Sequence, residues 1–133
     1  MIGQIFNAKE FSLKPKATIQ QSGKLGFNGD AIEQLQIDAS KSIVLAPENG
    51  NKEIYYMALV EGNPEYAFPI RVSGKYFYAN TKQLFDKLEL PYVEISYIFD
   101  LVRCEKYDQE IGGECYKMIA RTKPRTQEDT VEE

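Results

Sequence analysis

The chain has 133 residues, of which 43% are apolar, and it contains seven Phe and nine Tyr but no His and no Trp. This composition is sufficient for one folded domain without a stabilising metal or a disulfide scaffold. The absence of histidine excludes Ser-His and Cys-His nucleophilic sites and most zinc sites, and it lowers the expectation of an enzyme. We therefore expect a non-enzymatic protein that uses no cofactor and no metal.

The formal net charge of −4 is unevenly distributed. Four of the 20 acids lie in the last eight residues, which contain no Lys or Arg, so residues 1–125 hold 16 acids and 16 bases. The acidic end predicts a disordered tail over 123–133, after a single domain over 1–122. The bases of the domain gather in two segments, and these form the predicted basic surface. They are Lys9, Lys14, Lys16 and Lys24, followed by Arg121, Lys123 and Arg125.

The compartment follows from two further observations. No apolar run is long enough to cross a membrane, and the first residues lack the basic head and apolar middle of a secretory signal, so we expect a cytoplasmic protein. In that compartment Cys104 and Cys115 are expected to be reduced thiols. A hairpin centred between Gln109 and Glu110 would nevertheless place the two cysteines opposite each other, close enough for a disulfide in an oxidising medium.

The first half of the chain reads as strand, strand, short helix, strand, strand. Residues 1–13 have no clean period and could form either an edge strand or an arm packed on the core. Asp30 and Glu33 have the spacing of a capping box and predict the start of a short helix. Asn49-Gly50 predicts a hairpin between the last two strands. The predicted strands are 17–21, 24–27, 42–46 and 53–60.

The second half repeats this order. Asn80 and Gln83 predict a helix start, and Leu84, Phe85 and Leu88 give that helix one apolar face. Pro69 interrupts the first strand of this half and favours an edge strand or a bulge. The predicted strands are 66–72, 75–78, 93–103 and 114–121.

The two halves share a motif. Residues 22–37, SGKLGFNGDAIEQLQI, and residues 73–90, SGKYFYANTKQLFDKLEL, both run from Ser-Gly-Lys through an aromatic to a capped helix and then to Leu-x-aliphatic. A shared pattern at a fixed spacing is typical of a duplicated unit, although strand-turn-strand-helix order also arises by chance. The predicted fold is α+β and β-dominated. Two pseudo-repeated ββαβ units would form a small barrel or packed antiparallel sheets, with two short helices.

Residues 17–46 resemble the SpoVT/AbrB-type swapped-hairpin domain of bacterial transcription regulators. The resemblance is carried by Ser22-Gly23-Lys24, the short strand 25–27, the helix 30–35 with its Gln36-Ile37 ending, and the aliphatic strand 43–45. Two positions depart from the family pattern. Phe27-Asn28 stands where the family has Ile-Pro, and residues 38–41 stand where the family favours a Gly-Asp turn.

The resemblance implies a DNA-binding protein built from two interleaved copies of the unit. The family binds DNA as a homodimer, and residues 66–103 could supply the second copy within this chain, as in the related cradle-loop and double-psi barrels. Phosphate contacts require several bases on one surface. The predicted nucleic-acid-binding residues are Lys14, Lys16, Lys24 and Arg121. The alternative for any one lysine is simple solvation of an exposed strand edge.

Tyrosines suggest a second function. Tyr76 and Tyr78 should point to the same side of a strand, with Phe77 opposite. Exposed aromatics can anchor a protein interface, so a protein–protein interaction or assembly module, including a homodimer joined at a sheet edge, is the alternative. The same pair beside bases could instead stack single-stranded nucleic acid. The remaining reading is that each ring is buried and only the hydroxyl reaches water.

Overall fold

The computed structural model describes residues 1–126, and these residues form eight strands and three short α-helices. The helices are α1 (Gly29–Leu35), α2 (Lys82–Lys87) and α3 (Asp108–Ile111). The strands are β1 (Lys16–Ile19), β2 (Leu25–Phe27), β3 (Lys41–Glu48), β4 (Asn51–Glu61), β5 (Phe68–Ser73), β6 (Tyr76–Ala79), β7 (Ile95–Arg103) and β8 (Tyr116–Pro124). Eight strands were predicted and eight are observed. The predicted β-dominated α+β fold is confirmed, and α3 is an addition to the two predicted helices.

The strands close into an antiparallel barrel, which decides between the two predicted architectures. Their order around the barrel is β1-β2-β6-β5-β3-β4-β8-β7, and β7 pairs with β1 to close the ring. Exchanging β1–β4 with β5–β8 reproduces the same set of neighbours. This symmetry of strand order is what two interleaved copies of one unit would give, but the duplication itself stays a prediction.

Closure also bears on the predicted sheet-edge dimer. Within residues 1–126 every strand has a neighbour on both sides, so the barrel leaves no open edge for a second copy. Pro69 lies on β5 at the junction with β3, where only two residue pairs form. Its missing N–H accounts for the shortness of that ladder.

The core follows the period of two along each strand. Ala17, Ile19, Leu25, Phe99 and Met118 are inside and almost fully buried, while their neighbours along the chain face outward. Because partners across an antiparallel ladder point to the same side, one inward residue fixes the orientation of the whole row. The outward rows therefore carry any function that the barrel wall has.

Both predicted helix starts are displaced from their true positions. The N-cap of α1 is Asn28, not Asp30, and its side-chain oxygen accepts from the Ala31 N–H at 2.9 Å. Asp30 instead accepts from the Lys14 N–H. The N-cap of α2 is Thr81, not Asn80. The buried Thr81 hydroxyl donates to the Gly23 carbonyl at 2.9 Å, and so it joins the start of α2 to the β1–β2 turn.

The two ends of the chain differ from prediction in different ways. Residues 1–13 form neither an edge strand nor an arm packed on the core, because they contain one 3₁₀ turn at Ala8–Phe11 and the side chains of Ile2, Ile5, Phe6 and Phe11 are exposed. At the other end β8 continues to Pro124, two residues beyond the predicted domain boundary. The rest of the predicted tail, residues 127–133, lies outside the described residues.

The segment between β7 and β8 is not the simple turn that the sequence suggested. It contains a 3₁₀ turn at Glu105–Tyr107, followed directly by α3. Both cysteines are free thiols, and the Cys104 N–H donates to the Cys115 carbonyl at 2.8 Å. Burial raises the pKa of the Cys115 thiol to about 11, so this thiol is held protonated and unreactive at neutral pH.

Candidate nucleic-acid interface

One outward row crosses six neighbouring strands of the barrel. Register places Arg121 beside Ile98, Thr18, Gly26, Tyr78 and Arg71 in turn, from β8 across to β5. The flanking rows add further bases, and together they form what we name the basic face. Its members are Lys16, Lys24, Arg121 and Lys123, whereas Arg71, on β5, lies three strands beyond β1 around the curve of the closed barrel. On the outward ladder positions of these strands, within residues 1–126, Asp100 is the single acid.

Asp100 holds two of the predicted phosphate-binding bases together. Its carboxylate accepts from Lys16 Nζ at 2.6 Å and lies 3.1 Å from Arg121 Nε. The hydrogen bond from Lys16 lowers the pKa of Asp100, and Arg121 adds to the effect. The cluster keeps one net positive charge, and 60% of the Arg121 side chain remains exposed. A phosphate could therefore approach Arg121 without first displacing the carboxylate.

Lys24 lies at the other end of the β1–β2 hairpin and contacts the tyrosine pair. Its ammonium is 4.7 Å from the centre of the Tyr78 ring, and the Tyr76 and Tyr78 rings stack with centroids 5.5 Å apart. The Tyr76 hydroxyl lies over Gly26, where an added Cβ would be only 2.0 Å from that oxygen. Both rings are half-buried, so much of their area already packs on the barrel wall.

Lys14 lies just beyond this face. The Leu101 N–H donates to the Pro15 carbonyl at 3.1 Å, which extends the β1–β7 ladder to Pro15. Lys14 follows at the next position toward the N-terminus, where its backbone binds Asp30 and Asn28. The structure thus brings Lys16 and Arg121 to the same carboxylate, that of Asp100, with Lys24 on the same face and Lys14 at its margin.

Arg125 was part of the predicted basic cluster, but it has a structural role instead. Its guanidinium donates to the Tyr92 carbonyl at 2.6 Å and to the Ile19 carbonyl at 2.8 Å. Its backbone N–H donates to the Glu94 carbonyl. These bonds tie the end of β8 to β1 and to the segment before β7, so the charge of Arg125 is committed to carbonyl oxygens.

Arg71 was missed because it lies far in sequence from the two basic segments. Its register partner is Tyr78, and this pairing brings it to the same row as Arg121. Alternation along β5 could have shown that Arg71 faces outward. The sequence could not show which strands lie beside β6, and this strand order is what places Arg71 on the row, three strands beyond β1.

Metal sites and membrane-spanning helices were examined in the part of the chain that the structure describes. Within residues 1–126 no group of three or more His, Cys, Asp or Glu side chains could hold a metal ion. None of the helices in that range is long and apolar enough to cross a membrane.

The chain was compared with protein-family models, with curated proteins and with solved structures. No family model matches it, and neither of the other two comparisons gives a significant match.

Proposed function

We propose that this protein binds DNA without catalysing a reaction, as a regulator-like protein of the SpoVT/AbrB kind, and that the basic face contacts the phosphates. The observation that carries the proposal is a group of four bases on or beside the neighbouring strands β8, β7, β1 and β2, with Asp100 between two of them. Phosphate contacts from Lys and Arg supply most of the affinity of sequence-independent DNA binding.

The spacing of the bases supports the same proposal. Arg121 lies on β8 and Lys24 directly precedes β2, and these two strands are separated by three strand spacings, or about 14 Å along the wall. This distance is comparable with the major groove, which is about 12 Å wide. The wall can therefore present bases to phosphates on both sides of a groove rather than to one phosphate alone.

The strand order is the second support, because it fits the family that the sequence resembles. Two copies of a swapped-hairpin unit within one chain would interleave, and exchanging the two halves of this barrel leaves the neighbours unchanged. On this proposal residues 66–103 take the place of the second subunit.

The test is anisotropy of a fluorescent duplex of about 20 base pairs, titrated with protein at 50–300 mM NaCl. With four to five phosphate contacts, log K should fall with log salt at a slope of about −4. Lys24→Gln and Arg121→Gln should each weaken binding and reduce that slope by about one. Lys106→Gln removes the same charge from the 3₁₀ turn between β7 and β8, outside the basic face, and should leave the affinity and the slope unchanged. Absence of binding at 50 mM NaCl would refute the proposal.

The same titration with oligothymidylate separates duplex binding from single-strand binding. Tyr76 and Tyr78 stack on each other, and Lys24 lies against Tyr78, so the rings offer limited area to bases. We therefore expect Tyr78→Ala to change duplex affinity less than Lys24→Gln does. Tight binding of oligothymidylate that Tyr78→Ala abolishes would assign the face to single strands instead.

A second candidate function, protein–protein association, rests on the N-terminal arm. Ile2, Ile5, Phe6 and Phe11 are each at least 72% exposed, and the Phe6 and Phe11 rings pack only against each other among the aromatic pairs of the described chain. Exposed apolar side chains grouped in this way are typical of an interaction surface.

Light scattering of the wild type and of Phe6→Ser/Phe11→Ser tests association into a dimer. Tyr76→Ala/Tyr78→Ala tests the tyrosine pair in the same assay, and a monomer in all three samples would exclude a homodimer.

A further inference from the structure

A cavity of about 560 Å³ lies on the outside of the barrel, between the β3–β4 hairpin and α3. In the ring of eight strands β3 and β4 stand opposite β1 and β2, so the cavity and the centre of the basic face are on opposite walls. Three tyrosines and two glutamates line it, with apolar residues beneath them. These five are Tyr56, Tyr66, Tyr107, Glu48 and Glu110.

Two of the tyrosines are held in place by specific contacts. The Tyr56 hydroxyl donates to Glu48 Oε1 at 2.9 Å, and this hydrogen bond raises the pKa of Tyr56 to about 12. Tyr107 meets Tyr56 edge to face, with ring centroids 5.0 Å apart. Tyr66, from the β4–β5 connection, is 70% exposed and stands at the mouth. The cavity therefore has two tyrosines that are fixed by contacts in its wall and one tyrosine that is exposed to solvent.

The wall formed by α3 is fixed through Asp108. Its carboxylate accepts from both terminal nitrogens of Arg103, at 2.6 and 2.7 Å, and from the Cys115 N–H at 2.8 Å. Gly113 then packs against the Leu59 carbonyl, where a Cβ would be 3.1 Å from the oxygen. A bidentate pair with a third donor is a rigid arrangement, so the cavity does not depend on ligand binding to form.

The lining has the chemistry of a cation site. Aromatic ring faces attract cations, and the two carboxylates add negative charge, while no Lys or Arg is among the lining residues. The protein uses this attraction itself, because Lys106 Nζ lies 5.0 Å from the centre of the Tyr107 ring. Lys117, the ladder partner of Tyr56, is a further base near the cavity, and Arg103 is paired with Asp108 of α3. The volume lies within the usual range for small-molecule sites.

We propose that this cavity binds an organic ammonium group, with the rings of Tyr56, Tyr66 and Tyr107 around the cation and Glu48 and Glu110 as the counter-charge. The group could belong to a free amine or to a lysine side chain of a peptide, since both present the same chemistry. This site is separate from the basic face, so it stands whether or not the protein binds DNA.

The test compares choline with its uncharged isostere, in which carbon replaces the quaternary nitrogen. Saturation-transfer NMR and calorimetry on the full chain should show choline binding at least about tenfold more tightly than the isostere, because the two differ only in charge. Butylammonium and an acetylated trimethyl-lysine peptide are two further ligands measured in the same way. Tighter binding of the peptide identifies a protein ligand, and tighter binding of the free amines identifies a metabolite. Equal binding of choline and its isostere, or no binding of any cation, would overturn the proposal.

Two exposed residues serve as variants that should leave the fold intact. Tyr66→Ala and Glu110→Gln should each weaken choline binding about fivefold to tenfold, whereas Tyr66→Phe should retain it because the ring is kept. Tyr78→Ala, an aromatic change on the basic face, is the control and should have no effect. If Tyr78→Ala weakens choline binding as much as Tyr66→Ala does, the cation binds elsewhere and the assignment fails.

Discussion

Gln36, the C-cap of α1, and Glu89, which follows the C-cap Leu88 of α2, both have left-handed backbone, with φ of 55° and 59°. Among the described residues they are the only two non-glycine residues with positive φ. Each is followed by the same hydrogen bond, from Ile37 N–H to the Ile32 carbonyl and from Leu90 N–H to the Phe85 carbonyl, both at 3.1 Å. The two helices therefore end in the same way, although they begin differently.

The first prediction concerns these two caps. A left-handed conformation is unfavourable for a residue with a Cβ, so Gln36→Gly and Glu89→Gly should each increase the free energy of unfolding by about 0.5–1 kcal/mol. The two effects should add, because the sites lie on different helices. Urea denaturation measures them. Gln34→Gly, within α1, is the control and should lower stability by up to about 1 kcal/mol. A loss of stability in both cap variants would contradict the prediction.

The second prediction compares two glycines of the repeated Ser-Gly-Lys motif. Both have positive φ, but a Cβ on Gly23 would lie 2.7 Å from Lys82 Cγ and 3.0 Å from its Cα, whereas a Cβ on Gly74 meets nothing within 4 Å. Gly74→Ala should cost about 1 kcal/mol for backbone strain alone. Gly23→Ala should cost about 2–4 kcal/mol, because it also pushes α2 away from the β1–β2 turn.

Thermal unfolding of these two variants against the wild type provides the measurement. The difference between their losses of stability reports the contact with Lys82, since both variants place a Cβ on a backbone with positive φ. Equal losses of stability would mean that α2 does not rest on Gly23.

The third prediction concerns Asp100. Asp100→Asn removes the negative charge beside Lys16 and Arg121, so DNA affinity should rise severalfold at low salt. The cost in stability should be about 0.2–1 kcal/mol, since the ion pair is partly exposed. Anisotropy and urea denaturation measure the two effects. Weaker DNA binding by this variant would show that Asp100 positions the bases rather than competing with phosphate.

The stability cost of Asp100→Asn should also depend on pH. The pKa of Asp100 is lowered in the folded protein, so its contribution is present above the ordinary carboxyl pKa of 3.8 and is lost as pH falls through the lower folded value. Wild type and variant should therefore differ most above about pH 5 and converge as the pH falls through the lowered pKa of Asp100. A difference that stays the same from neutral pH into this acid range would contradict the assigned ion pair.

The fourth prediction concerns Arg125. Arg125→Lys keeps the charge but cannot span the Tyr92 and Ile19 carbonyls with a rigid fork, so it should lower the free energy of unfolding by about 1–3 kcal/mol. Arg121→Lys, on the exposed basic face, should change it by no more than about 0.5 kcal/mol. Hydrogen exchange should show weaker protection of the backbone amides at the ends of β1 and β8. Equal stability of the two variants would exclude the structural role of Arg125.

The sequence predicted the strands well, because each carries an apolar residue at every second position or a continuous apolar run. It predicted helix starts less well, because several polar residues near each start can accept a backbone hydrogen bond. Asn28 serves as the N-cap of α1 since its side chain also binds the backbone of Lys14 and of Lys16. These two residues lie 14 and 12 positions earlier in the chain. Local patterns do not contain such contacts.

The candidate sites depend still more on long-range pairing. Lys16 and Asp100 are 84 residues apart in sequence, and only closure of the barrel between β1 and β7 brings them to 2.6 Å. The cavity at Tyr56 and Tyr107 depends on α3, whose four residues are too few to give a helical period. The chemistry of these residues could be read from the sequence, but their neighbours could not.

The position of β8 in the ring has a consequence for synthesis of the chain. This last strand fills the place between β4 and β7, so the wall stays open until residues near Pro124 have left the ribosome. A nascent chain that ends earlier exposes two unpaired edges and the apolar interior between them. The barrel should therefore close only once β8 is available, and fragments that lack β8 should aggregate rather than form half a barrel.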